Sequence, residues 1–399
     1  MNRFIRLFAA TLVAIFATSA LNAQETKPLS ANITLGPYLQ AVTEDGFTVV
    51  WMTDVDACSW VEIAPDDGTH FYSCERPKYY ETIAGKRPVG KLHKVRVEGL
   101  EKGTTYRYRV MQQALITEMG QKKVCFGIPS GNDPFRQKPY TVTTLDRDAE
   151  SVEFAIINDI HGKDSVFRAL TKDLVKDEID MIFFNGDMLS AMDNQEQLLK
   201  GYLRSAGELF GATVPFFHAR GNHESRGWFS YRYLDFFPTS TGETYYMVRQ
   251  GPAAILVLDC GEDKPDSDIS YKGLICNDAY REKEAKWLEK VIQTEEFKSA
   301  PVKICVLHMP SSVGGWHGNR EINRLFVPLL EQAGVDIMLS GHIHRYNFAE
   351  AGERGCNFPV IINGCEEKHY FTVTKDGIKA KRIDKTGKVL KEYNFPAKK

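Results

Sequence analysis

Between residues 33 and 145, apolar side chains recur at every second position in short runs separated by turn residues. Phe47-Thr48-Val49-Val50-Trp51-Met52 follows the turn Asp45-Gly46, and Ser59-Trp60-Val61-Glu62-Ile63 and His70-Phe71-Tyr72 come next. Lys94-Val95-Arg96-Val97, Tyr106-Arg107-Tyr108-Arg109-Val110 and Tyr140-Thr141-Val142-Thr143 complete the set. A two-residue period turns one face of each strand inward. Several short strands at this spacing, with no helical period between them, predict an antiparallel all-β sandwich over residues 28–148.

From Val152 the period changes. Strand-like runs at 154–157, 181–184, 214–217, 253–258, 302–307 and 335–339 alternate with helical stretches at 165–177, 195–209, 279–293 and 322–333. Alternation of this kind predicts a layered α/β domain over residues 151–398, with the boundary near Asp146 to Ser151. Lys375-Asp376-Gly377 and Lys385-Thr386-Gly387-Lys388 lie between alternating residues and predict two hairpin turns that close this domain with antiparallel strands.

A chain of 399 residues is long enough for two or three domains. Apolar content of 43% and charged content of 26% exclude disordered and fibrous classes. Lys plus Arg (50) against Asp plus Glu (52) leaves almost no net charge, so no nucleic-acid partner is expected. Residues 1–23 predict a signal peptide: Arg3 and Arg6 precede an apolar run from Leu7 to Leu21, and small residues follow to Ala23. The run is too short and wrongly flanked for a good membrane span, so no span is expected once it is removed; a retained anchor is the alternative. Export places the protein in a secreted or periplasmic compartment, where disulfides are permitted. Of the eight cysteines, Cys305 sits inside a strand-like run and is expected to be a buried thiol, while spacing leaves any connectivity open.

The chemistry lies just past the strand ends. Asn158-Asp159-Ile160-His161 follows the first apolar run of the α/β domain. Asn185-Gly186-Asp187, Gly221-Asn222-His223-Glu224, His308 and Gly341-His342-Ile343-His344 follow later ones. In open α/β sheets the strands' carboxyl ends face one crevice, so residues remote in sequence meet there. Carboxylate, amide oxygen and imidazole in that place predict one metal site built from five strand ends. The absence of a CxxC pair argues against a structural zinc.

These motifs, in this order, resemble the calcineurin-like metallophosphoesterase superfamily over Val152 to Tyr346. Leu100-Glu101-Lys102-Gly103-Thr104-Thr105-Tyr106 resembles the tyrosine corner of a fibronectin type III-like domain. With that sandwich in front, the chain is similar to purple acid phosphatase-like proteins. The resemblance implies a four-layer αββα metallophosphoesterase domain and an exported phosphoesterase acting on a small phosphate mono- or diester. It also implies two divalent or trivalent metal ions, Zn, Mn or Fe. Asp159, His161 and His344 would hold the first, Asn222, His308 and His342 the second, and Asp187 would bridge them. Two ions about 3.5–4 Å apart would lower the pKa of a bound water to roughly 7, so that a metal-bound hydroxide attacks phosphorus.

The same resemblance assigns His223, outside the metal shell, to phosphate binding or proton donation. His317 is either a second leaving-group contact or a solvent-exposed loop residue. Glu224 supports His223 or its loop, Arg220 and Arg226 hold phosphate oxygens or serve the surface, Trp228 and Trp316 wall the pocket or pack, and Asp259 is structural. Where purple acid phosphatases carry a Tyr three residues past the bridging Asp, this chain has Ser190, and His161 replaces a Gly. No charge-transfer colour is expected without that tyrosinate. A surface binding or adhesion protein with a structural metal site is the competing reading, and the oligomeric state is left open.

Overall fold

The computed structural model describes residues 29–118, 123–132, 137–312 and 315–397. The signal-peptide expectation lies outside these residues. Among them, no helix is long and apolar enough to cross a membrane.

The first eight strands form an antiparallel all-β unit organised on Gly46–Pro65. One half of that strand pairs with Ile33–Gln40 and Gly90–Glu98, and the other half with Thr105–Glu118. Phe47, Val49 and Trp51 from its first half and Val61 and Ile63 from its second join Val95, Val97, Tyr108 and Val110 in one buried cluster. That two-sided enclosure is consistent with a sandwich. The Tyr106 hydroxyl accepts from the Glu101 amide at 3.0 Å, the bond a tyrosine corner makes. The expected strand at His70-Phe71-Tyr72 is instead a turn. The Arg76 guanidinium donates to the carbonyls of both His70 and Phe71, which removes them from ladder pairing.

Residues from 151 onward build two six-stranded sheets. The first runs, in spatial order, Phe216–Ala219, Met181–Asn185, Ser151–Ile157, Glu367–Thr374, Gly377–Asp384, Val389–Pro396. The second runs Tyr246–Gln250, Ala253–Leu258, Val302–Leu307, Ile337–Ser340, Val360–Ile362, Asn347–Ala349. Alternate residues of each strand sort to opposite faces. Phe154, Ile156 and Phe183 share an inner cluster with Ile255, Val257, Ile304 and Val306 from the other sheet. Ala155, Ile157, Ile182 and Phe184 face the helix Asp164–Thr171 and the helical stretch that starts at Gln195–Leu198. Leu256, Leu258, Cys305 and Leu307 face the helices Asn277–Val291, His317–Leu325 and Val327–Ala333. The result is four layers, αββα, in which strands buried on both faces read as continuous apolar runs.

Local chemistry sets the element ends. Asn194 accepts from the Gln197 amide at 3.0 Å and caps Gln195–Leu198. The single helix expected at 322–333 is two, split at Phe326, because Pro328 in the first turn of Val327–Ala333 has no amide to continue the earlier one. Both closing hairpins form as expected. All eight cysteines are free thiols, with Cys305 buried.

The all-β unit is bonded to the α/β layers through backbone carbonyls. Tyr38 stacks on Phe216 with ring centres 5.3 Å apart and donates to the Phe236 carbonyl at 2.9 Å. Gln40 donates to the Phe216 carbonyl at 2.8 Å and Tyr108 to that of Ala212 at 2.7 Å. The close approach needs glycine on the helical side: a Cβ on Gly207 would lie 2.9 Å from the Gly36 Cα.

Candidate metal centre

Ser151–Ile157, Met181–Asn185 and Phe216–Ala219 run parallel in the first sheet, as do Ala253–Leu258, Val302–Leu307 and Ile337–Ser340 in the second. Their carboxyl ends therefore emerge together, and the chain turns sharply at each. Nine described non-glycine residues have positive φ, and five of them are Asp159, His161, Asp187, His342 and His344. The left-handed region costs a residue with a Cβ of order 1–3 kcal/mol, somewhat less for Asp and His, and such strain gathers at functional sites. The turns are braced by backbone bonds between neighbouring strand ends, from Asp159 N to the Gly186 carbonyl and from His161 N to the Asp187 carbonyl, both 3.0 Å.

These turns bring the seven nominated ligands into one neighbourhood. His308, fully buried, donates from Nδ1 to the Asn185 carbonyl at 2.7 Å, which turns Nε2 toward Asp187 Oδ2 at 3.1 Å and Asp159 Oδ1 at 3.9 Å. His344 Nε2 lies 3.3 Å from Asp159 Oδ1 and 3.0 Å from His161 Nε2. His342 Nδ1 lies 3.2 Å from Asn222 Oδ1. Two groups have ligand atoms all within 4.8 Å of one another: Asp159, His161, Asp187 and His344, and Asp187, His308 and His342. Asp187 belongs to both.

The donor set fits metal ions. Asp159 Oδ1 and His308 Nε2 are buried with no hydrogen-bond partner, a costly arrangement that a cation between them relieves. Oxygen and imidazole donors without thiolate suit Zn, Mn or Fe. The electrostatics agree. Burial opposes charge on both His308 and Asp187, yet Asp187 and Asp159 hold the His308 pKa up at about 10, and His308 holds Asp187 below the usual carboxylate range. The pocket favours positive charge. Burial keeps the His161 pKa below its ordinary value, toward the neutral form a ligand needs.

His223 stands at the edge. Its backbone amide donates to Asp187 Oδ1 at 3.0 Å, and its Nδ1 bonds the Ser190 carbonyl at 2.7 Å. That bond keeps a proton on Nδ1, donated to the Ser190 carbonyl, and leaves Nε2, 3.8 Å from Asp187 Oδ2 and 2.9 Å from Arg226, as the atom free to exchange one. Ser190 thus occupies the position of the absent Tyr and orients His223 through its backbone. Glu224 supports the loop rather than His223: its carboxylate accepts the amides of Asp187 (2.8 Å), Met188 (2.7 Å), Leu189 (3.2 Å) and Gly221 (2.9 Å). Burial, with the charge of Asp187, pushes its pKa up to about 7.

Other nominated residues fall elsewhere. His317 opens the helix His317–Leu325, and its Nε2 is hydrogen-bonded to Asp278 Oδ1 at 2.7 Å on the helix Asn277–Val291. Its neighbour Trp316 lines the cleft beside the metal centre. Arg220 is engaged by the buried Asp259 at 2.6 Å, and Arg226 by Glu262 at 2.6 and 2.8 Å. Sequence reasoning missed Asp263 and Arg354. Asp263 accepts from the Asn222 amide at 3.2 Å and lies 3.2 Å from His342 Nε2. It follows the strand Ala253–Leu258 by five positions, and a carboxylate in a loop after a parallel strand was the available signal. Arg354 lines the same cleft from a turn with no motif around it.

Residues 152–346 match the family model "Calcineurin-like phosphoesterase". Purple acid phosphatase 22 of Arabidopsis thaliana is 24% identical over 313 residues, which cover 70% of this chain and 57% of that protein. Purple acid phosphatase 21 of the same plant is 24% identical over 332 residues, 77% of this chain and 65% of that one. The chain therefore spans about three-fifths of the length of the relatives it matches. Among solved structures, GAP50, the anchor in the inner membrane complex of Plasmodium, aligns with a TM-score of 0.47 and 17% identity over 63% of this chain and 90% of that one. By their motif order, their layers and the family match, residues 152–346 form a calcineurin-like phosphoesterase domain, in a chain similar to purple acid phosphatases.

Proposed function

We propose that the protein is an exported hydrolase of phosphate mono- or diesters that works with two divalent or trivalent metal ions. The observation that carries this is the membership of Asp187 in two ligand groups at once. Asp159, His161 and His344 would complete one ion's shell, and Asn222, His308 and His342 the other's. Ions so held supply Lewis acidity toward the phosphoryl oxygens and an acidified water. His223 then serves the leaving group. Its Nδ1 is fixed on the Ser190 carbonyl, so Nε2 is the atom that passes a proton to the departing oxygen. Arg226 Nη1, 2.9 Å from that atom, donates to its lone pair while Nε2 is unprotonated and yields the place when Nε2 takes up the proton it passes on; Glu262 holds Arg226. Export rests on Arg3, Arg6 and the apolar run after them.

The test is metal analysis of the purified protein joined to hydrolysis of 4-nitrophenyl phosphate and bis(4-nitrophenyl) phosphate. About two ions per chain are expected, with turnover lost on chelation, restored by metal and largely absent in Asn222→Ala and His308→Ala. Full turnover after exhaustive metal removal, or in both variants, would refute the proposal.

A further inference from the structure

The cleft beside the metal centre, about 420 Å³, is lined by Asp187, Asn222, His223, Asp263 and His342 and also by Trp316 and Arg354. Arg354 is half-buried. Its Nη2 donates to Asn347 Oδ1 at 3.0 Å and its Nη1 meets the Ser311 carbonyl at 3.4 Å, both uncharged partners. Ser311 lies three positions past His308 and Asn347 three past His344, so the guanidinium is slung between two ligand-bearing loops, one tier out from the ligands. Burial lowers its pKa, opposed in part by the charge of nearby Glu353, and among the described residues no carboxylate stands within ion-pair distance of it. Arg220 and Arg226 are each neutralised by a carboxylate. A guanidinium carries five donors, of which two are used here, and the rest suit the two-point capture of a carboxylate or phosphate. Trp316, 61% exposed, lines the same cleft and offers an apolar surface for the body of a ligand.

We propose that Arg354 binds a second anionic group of the substrate, carried on the organic part across the cleft from the scissile phosphate. The inference rests on the phosphoesterase reading and narrows its substrate class to esters with a distal carboxylate or phosphate. A half-buried guanidinium held by two carbonyl oxygens has spare donors and no paired carboxylate, and an incoming anion supplies both the acceptors and the charge.

The experiment compares phenyl phosphate, 4-carboxyphenyl phosphate and 1,4-phenylene bisphosphate, which differ in the distal group. The wild-type protein is expected to prefer one or both charged esters by about tenfold or more in kcat/KM, through KM, and the preferred ester identifies the anion. Arg354→Gln, which keeps a side-chain hydrogen bonder in place, should bring the ratio of charged to uncharged substrate toward one, and Arg354→Lys should restore part of it. Binding of 4-carboxybenzylphosphonate relative to benzylphosphonate, read by calorimetry, should show the same loss of preference. A wild-type ratio near one, or a ratio that survives Arg354→Gln, overturns the inference and leaves phosphoesterase activity standing. Inertness toward all three esters and toward bis(4-nitrophenyl) phosphate overturns that reading, and this inference with it; where only the diester is turned over, the phosphonate comparison decides.

Discussion

Asp263 steadies two candidate ligands at once, taking the Asn222 side-chain amide on Oδ2 while Oδ1 faces His342 Nε2. A carboxylate behind a liganding imidazole fixes its tautomer and raises its basicity, and loss of such a partner costs about 10–100-fold in metal affinity or activity. Asp263→Asn keeps the shape and removes the charge, so metal affinity should fall by about that factor, read by competition with a coloured chelator. An unchanged affinity would show that Asn222 and His342 hold their places unaided. Asp259 illustrates why this residue was hard to find. It ends its strand directly, as the true candidates do, yet it is occupied by Arg220 and the Gly261 amide. Position relative to a strand end nominates a residue, and partners already engaged disqualify it.

The strand ends were readable because one rule covers all of them: a parallel strand delivers the residue that follows it to a shared edge. The register of the two sheets was not written locally, since only the tertiary pairing decides which strand lies beside which. The partner of His317 was illegible for a related reason. A helix begins there and aims the ring at Asp278 on the helix Asn277–Val291, which no nearby residue announces. The strand Ile33–Gln40 is a second case of long-range dependence, because Tyr38 reaches 198 positions along the chain to the Phe236 carbonyl. Tyr38→Phe should retain the ring stack on Phe216 but strand that buried carbonyl. A loss of about 1–3 kcal/mol in urea unfolding is expected, with the slope unchanged. Stability equal to wild type would mean that the carbonyl finds another donor.

The whole molecule carries a built-in sensitivity to acid. His93, in the all-β unit, and His218 and His369, in the α/β layers, are buried, and desolvation pushes their pKa values down to about 4, about 3 and about 3. The unfolded chain titrates them near about 6.5. Between those limits the unfolded state binds protons that the native state refuses, so stability falls as pH drops below the unfolded value and levels off only near the folded ones. Unfolding at pH 5 should take up about three protons from these residues, measured from the pH dependence of the urea midpoint. A midpoint that does not move between pH 7 and pH 5 would contradict the assignment. The metal centre bears on the same balance in another way. Asp159, His161, Asp187 and Asn222 leave the first sheet, whereas His308, His342 and His344 leave the second, and each ligand group draws on both. Any ion seated there rivets one sheet to the other at the rim, so the cations that serve the chemistry would double as clasps for the sheet pair, and endurance against heat would follow the supply of metal.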